Sequence, residues 1–351
     1  MATTREAVAT MNDVLNWIRQ ESSTMYQERV PVATQENITE LGTAIMSYQA
    51  IENEFLTALI NKIAMTIVRN KTFRNPLAVL KKGTVPLGRN IEEIYTNPIT
   101  GKVYDPEGSE LHNRALPDTK AIYHTMNRQD KYKVTISKAQ LIGAFTSYEA
   151  LEKLLNSIVN AIYSGDNLDE FMLMKNLFGT CISHGKIRTM PLDFSSIAND
   201  QNAKEFVKVV KKIGQAMEFP SHSYNTYKLM NDPADNKGIT PVVTWTPLEN
   251  QVLILRNDVA VDVDVELLAK AFNVSYTDLK QRTLIVDGFG DDAPSCAAIL
   301  CDEAAVQVYD NLTQMESFHN GEGLYDNYIY HHWQTYSLSL FANAMAFMFS
   351  E

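Results

Sequence analysis

The sequence is poor in cysteine, in basic charge and in long apolar runs. Three cysteines, Cys181, Cys296 and Cys301, serve 351 residues. Their number is odd and their spacing fits neither a zinc site nor a disulfide framework. They read as small apolar core residues of a protein kept in a reducing compartment. Basic residues number 31 against 42 acidic ones, for a net charge of -11. A surface of that sign repels phosphate backbones wherever no local patch overrides it, so sequence-specific DNA reading is a poor assignment. No window approaches 18 uninterrupted apolar residues, and the N-terminus has no basic region followed by an apolar stretch. Neither a membrane span nor a signal peptide is expected. Internal repeats and low-complexity tracts are missing too.

Motifs that carry chemistry are equally scarce. Gly288-Phe289-Gly290 lacks the third glycine of a dinucleotide loop, and the stretch from Gly83 to Gly88 is not followed by Lys and Ser/Thr. No serine sits in a nucleophile elbow. Asp262, Asp264 and Glu266 alternate with Val261, Val263 and Val265, which would put three carboxylates on one face of a strand, where oxygen ligands could collect a divalent cation. The same alternation is what a half-buried strand with solvated acids requires. His319, His331 and His332 near Asp326 suggest a metal or general-base site, but adjacent histidines in a strand point to opposite faces. No catalytic, metal or cofactor-binding residue is therefore assigned, and no cofactor is expected. A metal-dependent hydrolase using Asp262, Asp264 or His331 is kept as the reading of a different class.

An apolar content of 45% over this length suffices for two or three packed units. The chain is organised around residues 131–178. Residues 133–137 alternate with period two, as a strand with one buried face does. A helix over 147–178 follows. Thr146 and Glu149 have the spacing of a capping box, and Leu151, Leu154, Leu155, Ile158, Val159 and Ile162 recur at three- and four-residue steps. Gly165 is a kink point, after which Leu168, Phe171, Met172, Met174 and Leu177 resume the stripe. Such a helix would be roughly 45 Å long.

Before this spine, residues 1–33 read as a short helix with Val14, Leu15, Trp17 and Ile18 on its apolar side, followed by an extended connector. A segment that small must lie against something else, for which another copy of the chain is a candidate. Ile38, Leu41, Ile45 and Tyr48, then Phe55, Leu59, Ile60 and Ile63, form helical stripes, and residues 64–68 read as a strand. Residues 73–128 are broken up by Pro76, Pro86, Pro98, Pro106 and Pro117. Two extended arms, 85–96 and 120–126, flank a polar tip. A hairpin this polar has no core of its own and is expected to project and be stabilised by a neighbour. Lys81, Lys82, Arg89, Arg128, Lys131 and Lys133 make the one basic concentration, suited to pairing with acids of a neighbouring copy.

After the spine come a strand and loop at 187–193 and a lysine-bearing helix over 203–219 with Phe206, Val209, Val210 and Ile213 inward. Apolar strands are expected at 252–255, 283–286 and 297–300, with a short helix around Leu267, Leu268, Ala271 and Phe272. Aromatic-rich strands are expected at 324–332 and 336–349. Short strands alternating with helices indicate a mixed α/β unit.

Several collinear stretches, Pro86 to Thr96, His124 to Gln129, Asn160 to Tyr163, Val261 to Asn273, Val286 to Phe289, Val308 to Leu312 and Phe341 to Phe347, closely resemble the major capsid proteins of short-tailed phages of the phi-29 kind. The resemblance covers nearly the whole chain. It implies an α+β Hong Kong-97-type capsid fold: an N-terminal arm at 1–50, the start of the P-domain at 51–69, and an E-loop at 70–130. The P-domain with its spine helix would follow at 131–189, the A-domain at 190–321 and returning P-domain strands at 322–351. It further implies self-assembly into hexamers and pentamers of an icosahedral or prolate head around double-stranded DNA. A scaffolding protein and a portal (connector) protein would be partners, no membrane would be, and the product would be a virion capsid made in the bacterial host cytoplasm. Lys81, Lys82, Arg89, Glu92, Glu93, Arg128 and Lys131 are the candidate inter-subunit contacts. Relatives of this kind carry an immunoglobulin-like C-terminal domain, whereas Glu351 directly follows the last expected strand, so a decorating role for such a domain is not expected. The short arm implies a separate scaffolding protein rather than a built-in one, and the acidic balance suits an inner wall that releases DNA. A same-fold alternative is an encapsulin-type compartment that encloses enzymes.

Overall fold

The computed structural model describes residues 11–34, 36–48, 50–55, 58, 73–108, 112–197, 199–227, 240–263 and 282–350. The expected helical residues Leu59, Ile60 and Ile63, the strand at 64–68 and the helix around Leu267 lie outside the described residues, as do Asp264 and Glu266. The chain forms two compact units. The first comprises Met1–Arg74, Gln129–Asp169 and Leu312–His332, the second Asn75–Arg128, Glu170–Asn311 and Trp333–Glu351.

In the first unit, helices α1 (Met11–Glu21), α2 (Thr24–Arg29) and α3 (Ile38–Met46) bury one stripe each. Val14, Leu15, Ile18, Tyr26, Ile38, Leu41 and Ile45 join Ile136, Phe145, Ile158, Ile162, Tyr328 and Tyr330 in one core. The N-terminal helix thus rests on its own chain, and the expectation that a second copy covers it is corrected. Trp17, placed by the sequence on the apolar side, is exposed. It sits one step from Ile18 on the wheel, at the edge of a stripe that Val14, Leu15 and Ile18 already fill. Arg19 fastens α1 to the end of α2, donating from Nε to the Val30 carbonyl at 2.7 Å and from Nη2 to that of Gln27 at 2.8 Å.

Strand β4 (Arg128–Ser137) leads into a seven-residue helix, α4 (Lys138–Ala144), before the spine, α5 (Tyr148–Ser183). The capping box lies at Ser137 and Gln140, where the Gln140 amide donates to Oγ at 3.2 Å and the Ser137 amide to Oε1 at 3.0 Å. This corrects the sequence expectation. Thr146 instead donates its hydroxyl to the Gly143 carbonyl at 2.6 Å, and Ser147 Oγ accepts the Ala150 amide at the start of the spine. The spine spans 36 residues, about 54 Å at 1.5 Å per residue, and passes through Gly165.

The second unit is built on a five-stranded mixed sheet, ordered β5 (Arg188–Pro191), β11 (Ala344–Met348), β8 (Cys296–Asp302), β6 (Gln251–Arg256) and β7 (Thr283–Val286). Both its faces are covered, which is why these strands read as continuous apolar runs instead of alternating ones. Val252, Ile254, Ile299, Ala344 and Ala346 face a core shared with Phe171, Met174 and Phe178 of the spine and with Leu77 and Leu80 of the 3-10 turn Pro76–Leu80. Leu253, Leu255, Leu300, Met345 and Phe347 face Phe206, Val207, Val210, Ile213 and Met217 of α6 (Asp200–Met217). Gly179 lets the spine meet the 286–290 loop: a Cβ there would stand 2.0 Å from the Phe289 carbonyl oxygen. All three cysteines are free and buried. Burial pushes the Cys296 and Cys301 thiols up to about 12 and Cys181 to about 11, as inert core residues require.

Two long strands, β9 (Val306–Asn320) and β10 (Tyr325–Leu338), pair within a second sheet ordered β1 (Gly83–Thr84), β9, β10, β4. The sequence reading missed β9 and broke β10 too early, because its aromatic and polar residues do not alternate cleanly. Residues 260–263 need the opposite correction. Asn257–Asp262 is a short helix, α7, Val261 is exposed and Val263 is buried, so Asp262 closes a helix and the three-carboxylate strand face falls. The apolar pair one helical turn apart, Val259 and Val263, sets the burial.

Candidate assembly surface

Between β1 (Gly83–Thr84) and β4 of the four-stranded sheet the chain runs out as a two-stranded hairpin and returns. Strands β2 (Ile91–Thr96) and β3 (Thr119–His124) pair antiparallel with Ile91 opposite His124 and Thr96 opposite Thr119. Among the described residues they belong to no larger sheet. One face is held by the chain's own residues. Tyr95 donates its hydroxyl to the Val243 carbonyl at 2.5 Å and stacks on Phe341, with ring centroids 5.6 Å apart. Asn97 accepts the Val243 amide and donates to the Pro241 carbonyl, both at 3.0 Å. Glu93 accepts Ser339 Oγ at 2.6 Å and lies 3.0 Å from His124 Nε2, while His124 Nδ1 meets Ser337 Oγ at 2.7 Å.

The other face has no such cover. Ile94 is 59% exposed and Tyr123 62%, and beyond the strands Ile99, Val103, Tyr104 and Leu116 are each more than four-fifths exposed. Single exposed apolar residues are ordinary, but six on one hairpin of marginal intrinsic stability form a surface that association would bury. Charge at its edge is locally satisfied: Tyr123 donates to Glu92 at 3.0 Å, and Lys120 at 2.5 Å holds the Asp118 carboxyl below its ordinary range.

Both roots of the hairpin are tied to one buried polar network. Lys81 Nζ lies 2.7 Å from Glu170 Oε2 and 2.9 Å from Asp310 Oδ1. Asn75 donates to Glu170 Oε1 at 2.8 Å, and Gln334 donates to Glu170 at 2.9 Å and to Asp310 at 2.6 Å. On the return side, Arg128 donates to Gln334 Oε1 and to the Tyr336 hydroxyl, and Asn127 exchanges two hydrogen bonds with the Tyr336 backbone. Burial works to lower the Lys81 pKa. The hydrogen bonds and charges of Glu170 and Asp310 outweigh it, so Lys81 titrates above the ordinary lysine value.

The expected contact residues therefore divide. Lys81, Glu93 and Arg128 have partners within their own chain, and Arg128 is buried. Lys82 is exposed and donates to the Glu303 carbonyl at 2.8 Å; Arg89, Glu92 and Lys131 are exposed. Sequence reasoning located the basic concentration but missed Glu170, Asp310 and Gln334. Their signal was three polar residues at inward positions of apolar elements, visible only once the elements are paired. The histidines separate as strand geometry requires: His332 Nδ1 lies 2.8 Å from Asp166, and His319 Nδ1 2.9 Å from Asp326.

A spine helix laid on one face of a mixed sheet, together with an unpaired hairpin carrying exposed apolar residues, defines the class. The fold is that of Hong Kong-97-type phage capsid proteins. The structure aligns with a chain from the capsid of Staphylococcus phage Andhra at a TM-score of 0.64, covering 82% of this chain and 87% of that one at 15% identity. The sequence carries the assignment further. It matches the Phi29-like phage major capsid protein family over residues 15–348. It is 36% identical over 338 residues to the major capsid protein of Bacillus phage PZA, covering 96% of this chain and 72% of that one. Against the major capsid protein of Streptococcus phage Cp-1 it is 29% identical over 347 residues, covering 94% and 92%. The chain belongs to the Phi29-like phage major capsid proteins. This selects the phage shell over the encapsulin reading.

Proposed function

We propose that this chain builds the wall of a phage head as hexamers and pentamers that close around double-stranded DNA, with a separate scaffolding protein guiding assembly and a portal protein at one vertex. Capsid proteins of this family associate into shells, and their role is structural. The observation that carries the proposal is the hairpin. Its inner face is hydrogen-bonded to its own body while Ile94, Ile99, Val103, Tyr104, Leu116 and Tyr123 stand in solvent. We assign it as the E-loop within residues 70–130, lying over an adjacent copy in the shell. Residues 131–189 and 322–351 would act as the P-domain and 190–321 as the A-domain. Lys82, Arg89, Glu92 and Lys131 are the charged contacts best placed to reach a neighbour. Each interface is modest, and closure sums many of them into an assembly far more stable than any one contact. Assembly would take place in the host cytoplasm before DNA enters.

The test is to express the chain with and without its scaffolding partner and view the products by negative-stain electron microscopy. Closed particles are expected with the partner present. Rings or dispersed monomers under every condition would overturn the reading.

A further inference from the structure

Four lysines share one side of α6. Its buried face consists of Ala203, Phe206, Val207, Val210, Ile213 and Met217. On the opposite side, Lys204, Lys208, Lys211 and Lys212 fall within an arc of about 100°, at 100° per residue. Lys204, Lys208 and Lys212 are exposed and Lys211 half-buried. Among the described residues none of the four forms an ion pair. Gln201 and Gln215 fill the gaps, and the acids Glu205 and Glu218 lie at the borders of the stripe. The exposed Phe219 lies beyond the helix end.

We infer that this stripe is a weak, sequence-independent contact for the phosphate backbone of double-stranded DNA, a reading that rests on the shell function above. Three features favour this over an acidic protein partner. A protein-docking face has an apolar centre, and this stripe has none. Lysine serves as a mobile point charge where arginine would give fixed bidentate geometry, which suits contacts that must be made and broken along any sequence. The four lysines cover eight residue steps, about 12 Å of helix axis, over which each DNA strand presents roughly three to four phosphates at about 3.4 Å per charge. The net charge of -11 repels DNA elsewhere, so the stripe locates the contact without holding the genome tightly.

The test uses the full-length unassembled subunit and a short fluorescent duplex, with anisotropy read from about 50 to 200 mM salt. One variant carries Lys204→Gln, Lys208→Gln, Lys211→Gln and Lys212→Gln. A charge-matched control carries Arg74→Gln, Lys133→Gln, Lys153→Gln and Lys186→Gln, all at exposed positions, and circular dichroism checks that both fold. The stripe variant should bind about tenfold more weakly or worse at low salt, and its salt slope should fall by about three to four, while the control keeps most of both. Equal weakening of the two variants, or no binding by the wild type, overturns the inference. So does a stripe variant that binds DNA normally but no longer forms particles, which would make the stripe a protein contact. Failure of the wild type to form particles with its scaffolding partner while the stripe still binds DNA would instead sink the shell reading.

Discussion

The five-stranded sheet and the β2–β3 hairpin both belong to the second unit, yet their apolar side chains meet opposite surroundings. In the sheet, Leu255, Ile299 and Phe347 are fully enclosed between the spine and α6, whereas Ile94 and Tyr123 on the hairpin face solvent. The sheet is finished within one chain. The hairpin is finished on one face only, where Tyr95, Asn97 and Glu93 hold it to the body. The difference shows where a single chain spends its apolar surface on its own fold and where it keeps some for association.

The largest effect on folding should come from the sheet. Phe347→Ala removes a ring packed 6.1 Å from Phe206 and should destabilise the unassembled subunit by roughly 3–5 kcal/mol, read as a lowered denaturation midpoint in urea. An unchanged midpoint would mean the sheet is not the stabilising core. Next comes the network under the hairpin. Glu170→Ala strands Asn75 and one side of Lys81 and should cost roughly 3 kcal/mol, at the lower end for a broken buried pair because Asp310 still holds Lys81.

The same network gives the subunit an alkaline limit. The Lys81 pKa is raised in the folded state, so its stabilisation is complete below the unfolded value near about 10.4 and is lost as pH rises through the higher folded value. Urea midpoints measured across that range should fall for the wild type and fall less for Lys81→Met. Smallest on folding is the hairpin face. Ile94→Ser with Tyr123→Ser should move the midpoint by no more than about 0.5 kcal/mol, while particle formation is lost. If folding and assembly fell together in that variant, the contrast between sheet and hairpin would collapse.

The sheet was legible in the sequence because full burial leaves apolar runs such as Val252–Leu255 that polar positions do not interrupt. The hairpin arms were legible for the converse reason, a local excess of proline and charge around two short alternating segments. What escaped was set by long-range pairing. The Val261–Glu266 alternation mimicked a strand, yet its first residues close a helix whose burial is fixed by Val259 and Val263. The capping box is that of Ser137 and Gln140, which start the short helix between the strand end and the spine, an element the apolar stripe of the spine does not reveal. The charged contact candidates were the least legible part. Lys81 and Arg128 lie near the hairpin in sequence, but Glu170 and Asp310 lie 89 and 229 residues beyond Lys81, and Gln334 lies 206 beyond Arg128, and together they claim both cations for the subunit's own fold.

Because the outgoing and returning roots of the hairpin are bonded to the same side chain, Gln334, or to its immediate partners, the segment between them starts and finishes on common ground. Its length beyond Thr96 and Thr119 can change without moving either root. A relative could lengthen, shorten or redecorate that loop, and so change the size or curvature of the wall it builds, without redesigning the body that carries it.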